Sequence, residues 1–213
     1  RFSESMLHTW DIGFNPSTRY ENKNDWGLTP LEGESPKMML RRGVVIPCFE
    51  SGIISYIKIR VLPKELQGDE PKYRKLAGSL PGIMGLDTVL KTEIVFATEG
   101  ELNLLPLWAA INRVPDCYKI GAISFGSASD YEALKPNIER FIPVKRIIAY
   151  FDKDKAGMQA RQRLLEMSGK VEFAKLNAKD FADAYQNGND LSAWVQYHIE
   201  RAPIFAGDLA FEK

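Results

Sequence analysis

Two cysteines and two histidines are all that the 213 residues offer of the softer metal ligands, and they are scattered: Cys48, Cys117, His8 and His198. A structural zinc site or a secreted disulfide scaffold needs a denser pattern, so both cysteines are expected as reduced core thiols of an intracellular, cytoplasmic protein. No run of about 18 uncharged apolar residues occurs, which argues against a membrane partner or a helical span. The opening Arg1-Phe2-Ser3-Glu4-Ser5 does not resemble a signal peptide; without an initiator Met, it is expected to begin a fragment. Net charge is missing too. Lys+Arg and Asp+Glu each number 28, which excludes a nucleic-acid binder held by overall charge; any such surface must be local. What remains, 45% hydrophobic and 26% charged, is ordinary globular composition without repeats or low-complexity segments.

The chain changes texture twice. The first 40 residues carry Trp10, Phe14, Asn15-Pro16, Tyr20, Trp26-Gly27, Pro30 and Pro36 without sustained periodicity, an irregular, partly helical arm anchored by aromatics. Val44 to Phe49, a turn at Glu50-Ser51-Gly52, and Ile53 to Leu62 then read as a β-hairpin, ended by the polar segment around Gly68-Asp69-Glu70-Pro71. Beyond residue 90, short bounded apolar runs at Ile94–Ala97, Ile120–Phe125, Ile147–Phe151 and Val171–Leu176 read as buried parallel strands. Helical patterns separate them near 101–113, 129–140 and 155–168, and two more follow near 180–187 and 190–201. Such alternation predicts an α/β domain with a parallel sheet.

In an open parallel sheet, chemistry gathers at the carboxyl ends of the strands, so the residues after each run matter most. Glu99 follows the first run, Asp152 and Asp154 the third. Two residues apart on an extended strand end, both aspartates point to one side, where their repulsion favours a bound cation. All-oxygen ligation suits Mg²⁺ or Mn²⁺, and Ala156-Gly157 would let a phosphate approach the helix that follows. Taken alone, Asp-x-Asp is equally a solvated loop or a helix-capping pair, and Glu99 a polar strand end.

The combination goes further. Ala97-Thr98-Glu99-Gly100-Glu101-Leu102-Asn103, Ser124-Phe125-Gly126-Ser127-Ala128 and Tyr150-Phe151-Asp152-Lys153-Asp154-Lys155-Ala156-Gly157 resemble the three signatures of the Toprim domain shared by primases, topoisomerases and related nucleases. Arg42-Gly43-Val44-Val45-Ile46-Pro47 through Ile57-Lys58-Ile59-Arg60, followed by Pro71-Lys72-Tyr73, narrows the resemblance to bacterial DnaG-like primases of phages and mobile elements, over about residues 40 to 190. The resemblance implies a Toprim-like parallel sheet with flanking helices over 91–201. A small mixed α+β subdomain with a basic β-hairpin would precede it over 1–90, and a tail would follow over 202–213. It implies metal-dependent nucleotidyl transfer making RNA primers on a single-stranded DNA template. Nucleoside triphosphates would be the substrates and a replicative helicase a candidate partner. Glu99 would be a metal ligand or general base, and Asp152 and Asp154 would hold Mg²⁺ or Mn²⁺. Asp180 and Asp183 match a further acidic pair; their other reading is a helix cap with first-turn charge.

Two departures stand out. Asn103 occupies a position where such primases carry Asp, which would remove one acidic contact, and Phe125-Gly126-Ser127 replaces Leu-Gly-Thr. A zinc ribbon and a helicase-binding domain are not recognisable, so a catalytic-core fragment, or a primase-like protein that has lost parts, is expected. Between Lys37 and Lys75 the bases Lys37, Arg41, Arg42, Lys58, Arg60, Lys64, Lys72, Arg74 and Lys75 outnumber Glu50, Glu65, Asp69 and Glu70, as a template or phosphate track requires. Lys58 and Arg60 alternate with apolar residues and should emerge from one face. Nucleotide or nucleic-acid contacts are therefore expected at Lys58, Arg60, Lys72, Tyr73, Gly126, Ser127 and Lys155. A solvated sheet face is the plainer reading of the bases, and arm anchoring that of Trp10 and Trp26. The same motifs also admit a Toprim nuclease or topoisomerase-like fragment, or a non-catalytic nucleic-acid-binding module of a mobile element.

Overall fold

The computed structural model describes residues 2–66, 68–126, 128–152 and 154–203. Ser127 and residues 204–213, the bulk of the expected tail, lie outside the described residues. The chain divides into two compact units, Ser3–Leu80 and Pro81 onward, the second also including the first two residues.

In the first unit, helix α1 (Glu4–Thr9) starts where the Ser3 hydroxyl accepts from the Met6 N–H. Strands β1 (Gly13–Asn15), β2 (Arg19–Asn22) and β3 (Lys37–Leu40) then precede the hairpin β4 (Gly43–Glu50) and β5 (Ile53–Val61), and β6 (Tyr73–Lys75) closes the unit. β1, β4, β5 and β6 form one antiparallel sheet in that order, and β2 pairs with β3. The hairpin stands where its alternation put it. Its turn residues Ser51 (φ 53°) and Gly52 (φ 79°) both take the left-handed conformation, whose twist matches the flanking strands. The expectation of an irregular arm is corrected, since three short strands cross it. They carry no periodic signal because β2 is largely exposed and β1 is three residues long.

In the second unit, β7 (Ile94–Thr98), β8 (Ile120–Ser124), β9 (Arg146–Tyr150) and β10 (Val171–Phe173) form a parallel sheet in the order β10-β9-β7-β8. Helices α2 (Glu101–Ile111), α3 (Lys155–Met167), α4 (Phe181–Gln186) and α5 (Leu191–Glu200) follow strands or one another as expected. The alternation of a buried strand sorts the two faces. Val95, Ala97, Ile147 and Ala149 join a core with Ala160 and Leu164 of α3. Phe96, of opposite parity, meets Trp194 of α5 at 5.8 Å between ring centroids. One expected helix is corrected: Ala128–Phe141 runs as 3-10 turns containing Pro136, whose missing N–H and bulky ring oppose a regular α-helix. Among the described residues, no helix is long and apolar enough to cross a membrane. Neither Cys48 nor Cys117 forms a disulfide; Cys48 is buried as a core thiol, whereas Cys117 is half-buried, which corrects its expected core position.

Candidate active site

The sheet order sets the site. β7 lies between β9 and β8, so the residue after β7 sits between those that follow its neighbours. That residue is Glu99, and it is stitched to both sides. Its backbone carbonyl accepts from the Gly126 N–H (2.7 Å) and the Ser124 hydroxyl (3.2 Å). Its carboxylate Oε2 accepts from the Asp152 N–H at 3.3 Å. Gly126 therefore stands beside Glu99.

Asp152 leaves β9 half-buried, and Asp154 caps α3, its Oδ1 accepting from the Gly157 N–H at 2.9 Å. Gly157 is required here, because a Cβ would overlap the Asp152 backbone carbonyl. The close approach of α3 thus packs its first turn against the Asp152 backbone, while Lys155 opens the helix and is exposed.

Asp180 caps α4, accepting from the Asp183 N–H at 2.8 Å, and Asp183 reaches back to the Lys179 N–H at 3.3 Å. This reciprocal cap is the plainer of the two readings of that pair, and each cap bond occupies one carboxylate oxygen. Asp180 nevertheless faces the cluster electrostatically. Burial, and then the charges of Asp154 and Asp180, hold the Asp152 carboxyl above its usual range, with Lys179 opposing them. Burial, together with Asp152 and Asp154, raises Glu99 as well. Like charges are therefore held near one another at a cost that a cation would relieve. The donor set, all carboxylate oxygen, fits a hard divalent ion in its chemistry. Among the described residues, however, no three such side chains are gathered closely enough to enclose one.

Two contacts made by motif residues were not foreseen from the sequence. The Tyr150 hydroxyl donates to the Lys179 carbonyl at 2.7 Å, tying the end of β9 to the turn that carries Asp180. Alternation along β9 could have flagged it as an outward residue. Asn103 Oδ1 accepts from the Ala182 N–H at 3.2 Å, so this departure makes a neutral link to the first turn of α4. No sequence signal pointed to that partner.

On the antiparallel sheet, register places Lys58 opposite Lys75 and Arg60 opposite Tyr73, so all four share one face. Lys58 and Arg60 each lie 5.8 Å from the Tyr73 ring centroid, a cation–π arrangement, and exposed Lys72 precedes it. Two expectations need correction. Lys58 is only 3% exposed and does not stand in solvent with Arg60. Much of the basic excess is also internally neutralised. Arg41 pairs with Glu70 (2.9 Å), Arg74 with the same carboxylate (2.5 Å) and Arg42 with Glu65 (3.1 Å), because these acids lie on adjoining loops.

No family model matches the chain, and no curated protein matches it. Among solved structures it is similar to the primase fragment of the bacteriophage T7 primase-helicase protein. That match has 20% identity and a TM-score of 0.60, covering 92% of this chain and 70% of that one. It is also similar to a chain of the assembly in which the bacteriophage T7 lagging-strand DNA polymerase interacts with primase domains bound to an RNA/DNA hybrid and dTTP. There the identity is 19% and the TM-score 0.54, over 84% of this chain and 91% of that one. The likeness establishes the fold: a parallel sheet with flanking helices together with antiparallel sheets, similar to that of the T7 primase fragment.

Proposed function

We propose that this chain is the catalytic core of a DNA primase, joining nucleoside triphosphates into short RNA primers on a single-stranded DNA template in the cytoplasm, with a replicative helicase as a partner. The observation that carries the reading is the placement of Glu99 between Gly126 and Asp152 at the carboxyl edge of the sheet, with Asp154 and Asp180 adding like charge. Asp152, Asp154 and Glu99 would hold Mg²⁺ or Mn²⁺, with Asp180 and, if its cap bond yields, Asp183 nearest to join them. Such ions would activate the primer oxygen and offset charge on the departing pyrophosphate. Glu99, like Asp152, is a half-buried carboxylate with raised proton affinity, which suits it to take the proton from an attacking hydroxyl. Lys155 and the Gly126 backbone would meet triphosphate oxygens, with Ser127 adjoining in sequence. Lys58, Arg60, Lys72 and Tyr73 would follow the template or nucleotide.

The test pairs Mn²⁺ calorimetry with primer synthesis for the parent and the Asp152→Asn/Asp154→Asn variant. The variant should lose both metal binding and ribonucleotide incorporation with its fold intact. Synthesis by the variant would remove these aspartates from the site. DNA degradation by the parent in Mn²⁺, without synthesis, would replace polymerisation with a nuclease reading.

A further inference from the structure

The antiparallel sheet has a second face, and its construction differs from the face that carries Lys58 and Arg60. Ile57, Ile59 and Val61 point there, and the register Ile59–Arg74 brings Arg74 to the same side. Two neighbouring cavities open on it, sharing Ile59 and Leu76 as wall residues. One, of about 200 Å³, is lined by Phe14, Trp26, Leu40 and Val45. Phe14 is 52% exposed and Trp26 43%, an unusual outlay of aromatic surface around an apolar hollow. The other, of about 440 Å³, is lined by Met38, Met39, Arg41 and Arg74, with Tyr73 and Lys75 flanking it along β6.

Charge in the second cavity is unbalanced. Glu70 serves both guanidinium groups, its Oε1 taking Arg41 Nη1 at 3.2 Å and Arg74 Nη2 at 2.5 Å while its Oε2 lies 2.9 Å from Arg41 Nη2. Arg41 is 8% exposed, and the Nε of each arginine is buried without a hydrogen-bond partner. One carboxylate against two cations leaves an excess positive charge beside an aromatic hollow. A phosphate would satisfy the first feature and a planar base the second.

We propose that this face is a second nucleotide-binding site, in which Arg41 and Arg74 take a phosphate and Phe14 and Trp26 take the attached base. The choice of a nucleotide over other aromatic phosphates rests on the primer-synthesis reading; the cavities and their charge do not. The ligand is either a free nucleotide or one unit of a nucleic-acid strand.

The experiment measures binding of a fluorescein-labelled oligothymidylate to the full chain by anisotropy. A chelator present throughout removes divalent ions, and competition by unlabelled ATP and by an abasic oligonucleotide is followed. Arg74→Gln and Trp26→Ala are both surface-reachable changes that spare buried Arg41. Each should weaken binding about 5- to 10-fold, and Arg74→Gln alone should lower the salt slope by about one. Competition by ATP assigns the site to free nucleotide; weakening without such competition assigns it to a strand. Parent-like affinity in both variants, or an abasic strand that binds as tightly as the intact one, overturns the proposal. Because the readout omits metal and synthesis, failure of the acidic site would leave this result standing, and the reverse also holds.

Discussion

The two ends of the parallel sheet treat charge in opposite ways. At the carboxyl ends, Glu99, Asp152, Asp154 and Asp180 share one sign, and burial with mutual repulsion lifts the first two above the usual carboxylate range. At the other end, Arg146 opens β9 and grips Glu172 of β10, donating to its Oε1 from Nη2 at 2.6 Å and from Nε at 2.9 Å. Arg201, just past α5, takes Oε2 of the same carboxylate at 2.6 Å. Arg146 also donates to the carbonyls of His198, Ile199 and Arg201, which moors the end of α5 to the sheet. One end satisfies its ions with protein partners and holds the fold. The other holds like charges near one another at a cost, the arrangement on which the proposed metal site rests.

The largest expected effect breaks the satisfied end. Arg146→Met should leave the Glu172 carboxylate, 1% exposed, with Arg201 as its remaining cation. Removing one partner of a buried pair costs about 3–5 kcal/mol, so the denaturant midpoint should drop accordingly. A change under about 1 kcal/mol would show that the network is solvated and that the contrast fails.

A pH titration sharpens the contrast. His198 is buried against Trp194 and Tyr197, and its Nδ1 accepts from Arg201 Nε at 3.1 Å. Burial, then the charge of Arg201, push its pKa down to about 4. The unfolded chain binds this proton near pH 6.5 and the folded chain near 4, so stability falls as pH drops through that interval. The contribution is about 2 kcal/mol between pH 7 and pH 5. Glu99 and Asp152 run the other way. Their folded values are raised, so the stability linked to them is present in acid and is lost as pH rises through those values. Melts of parent and His198→Gln across this range should show a flatter acid limb in the variant. Parallel curves would remove His198 from the account.

What could be read from the sequence follows the same division. Backbone alternation and strand-to-loop transitions are local, so β7, β8 and β9 and the placing of Glu99 and Asp152 at their ends were all legible in short windows. Partners chosen across the fold were not. Glu65 and Glu70 pair with three arginines that composition counts as a free basic excess, offsetting part of their charge. Lys58 has the strand parity of a surface residue yet is buried, and Asn103 finds its partner 79 positions away. The network of Arg146, Glu172 and Arg201 left no trace, since isolated charges in apolar strands carry no spacing rule. The 3-10 run over Ala128–Phe141 kept a helical pattern that its proline overrode.

The smallest expected effect has the opposite sign to the first. Asp152→Asn keeps the shape and the backbone N–H that donates to Glu99, while removing one of the like charges at the carboxyl edge. Asp152 is half-buried and solvent screens its neighbours, so the gain is a few tenths of a kcal/mol. It should appear as a slightly higher melting midpoint in alkaline solution and should shrink as the pH falls, where protonation of the raised Asp152 carboxyl relieves the parent as well. Stabilisation combined with loss of synthesis is the mark of a residue kept for chemistry against the interest of the fold. Destabilisation by Asp152→Asn would mean that the carboxylate has protein partners after all. The two ends of the sheet would then be alike, and the acidic edge would be a set of helix caps.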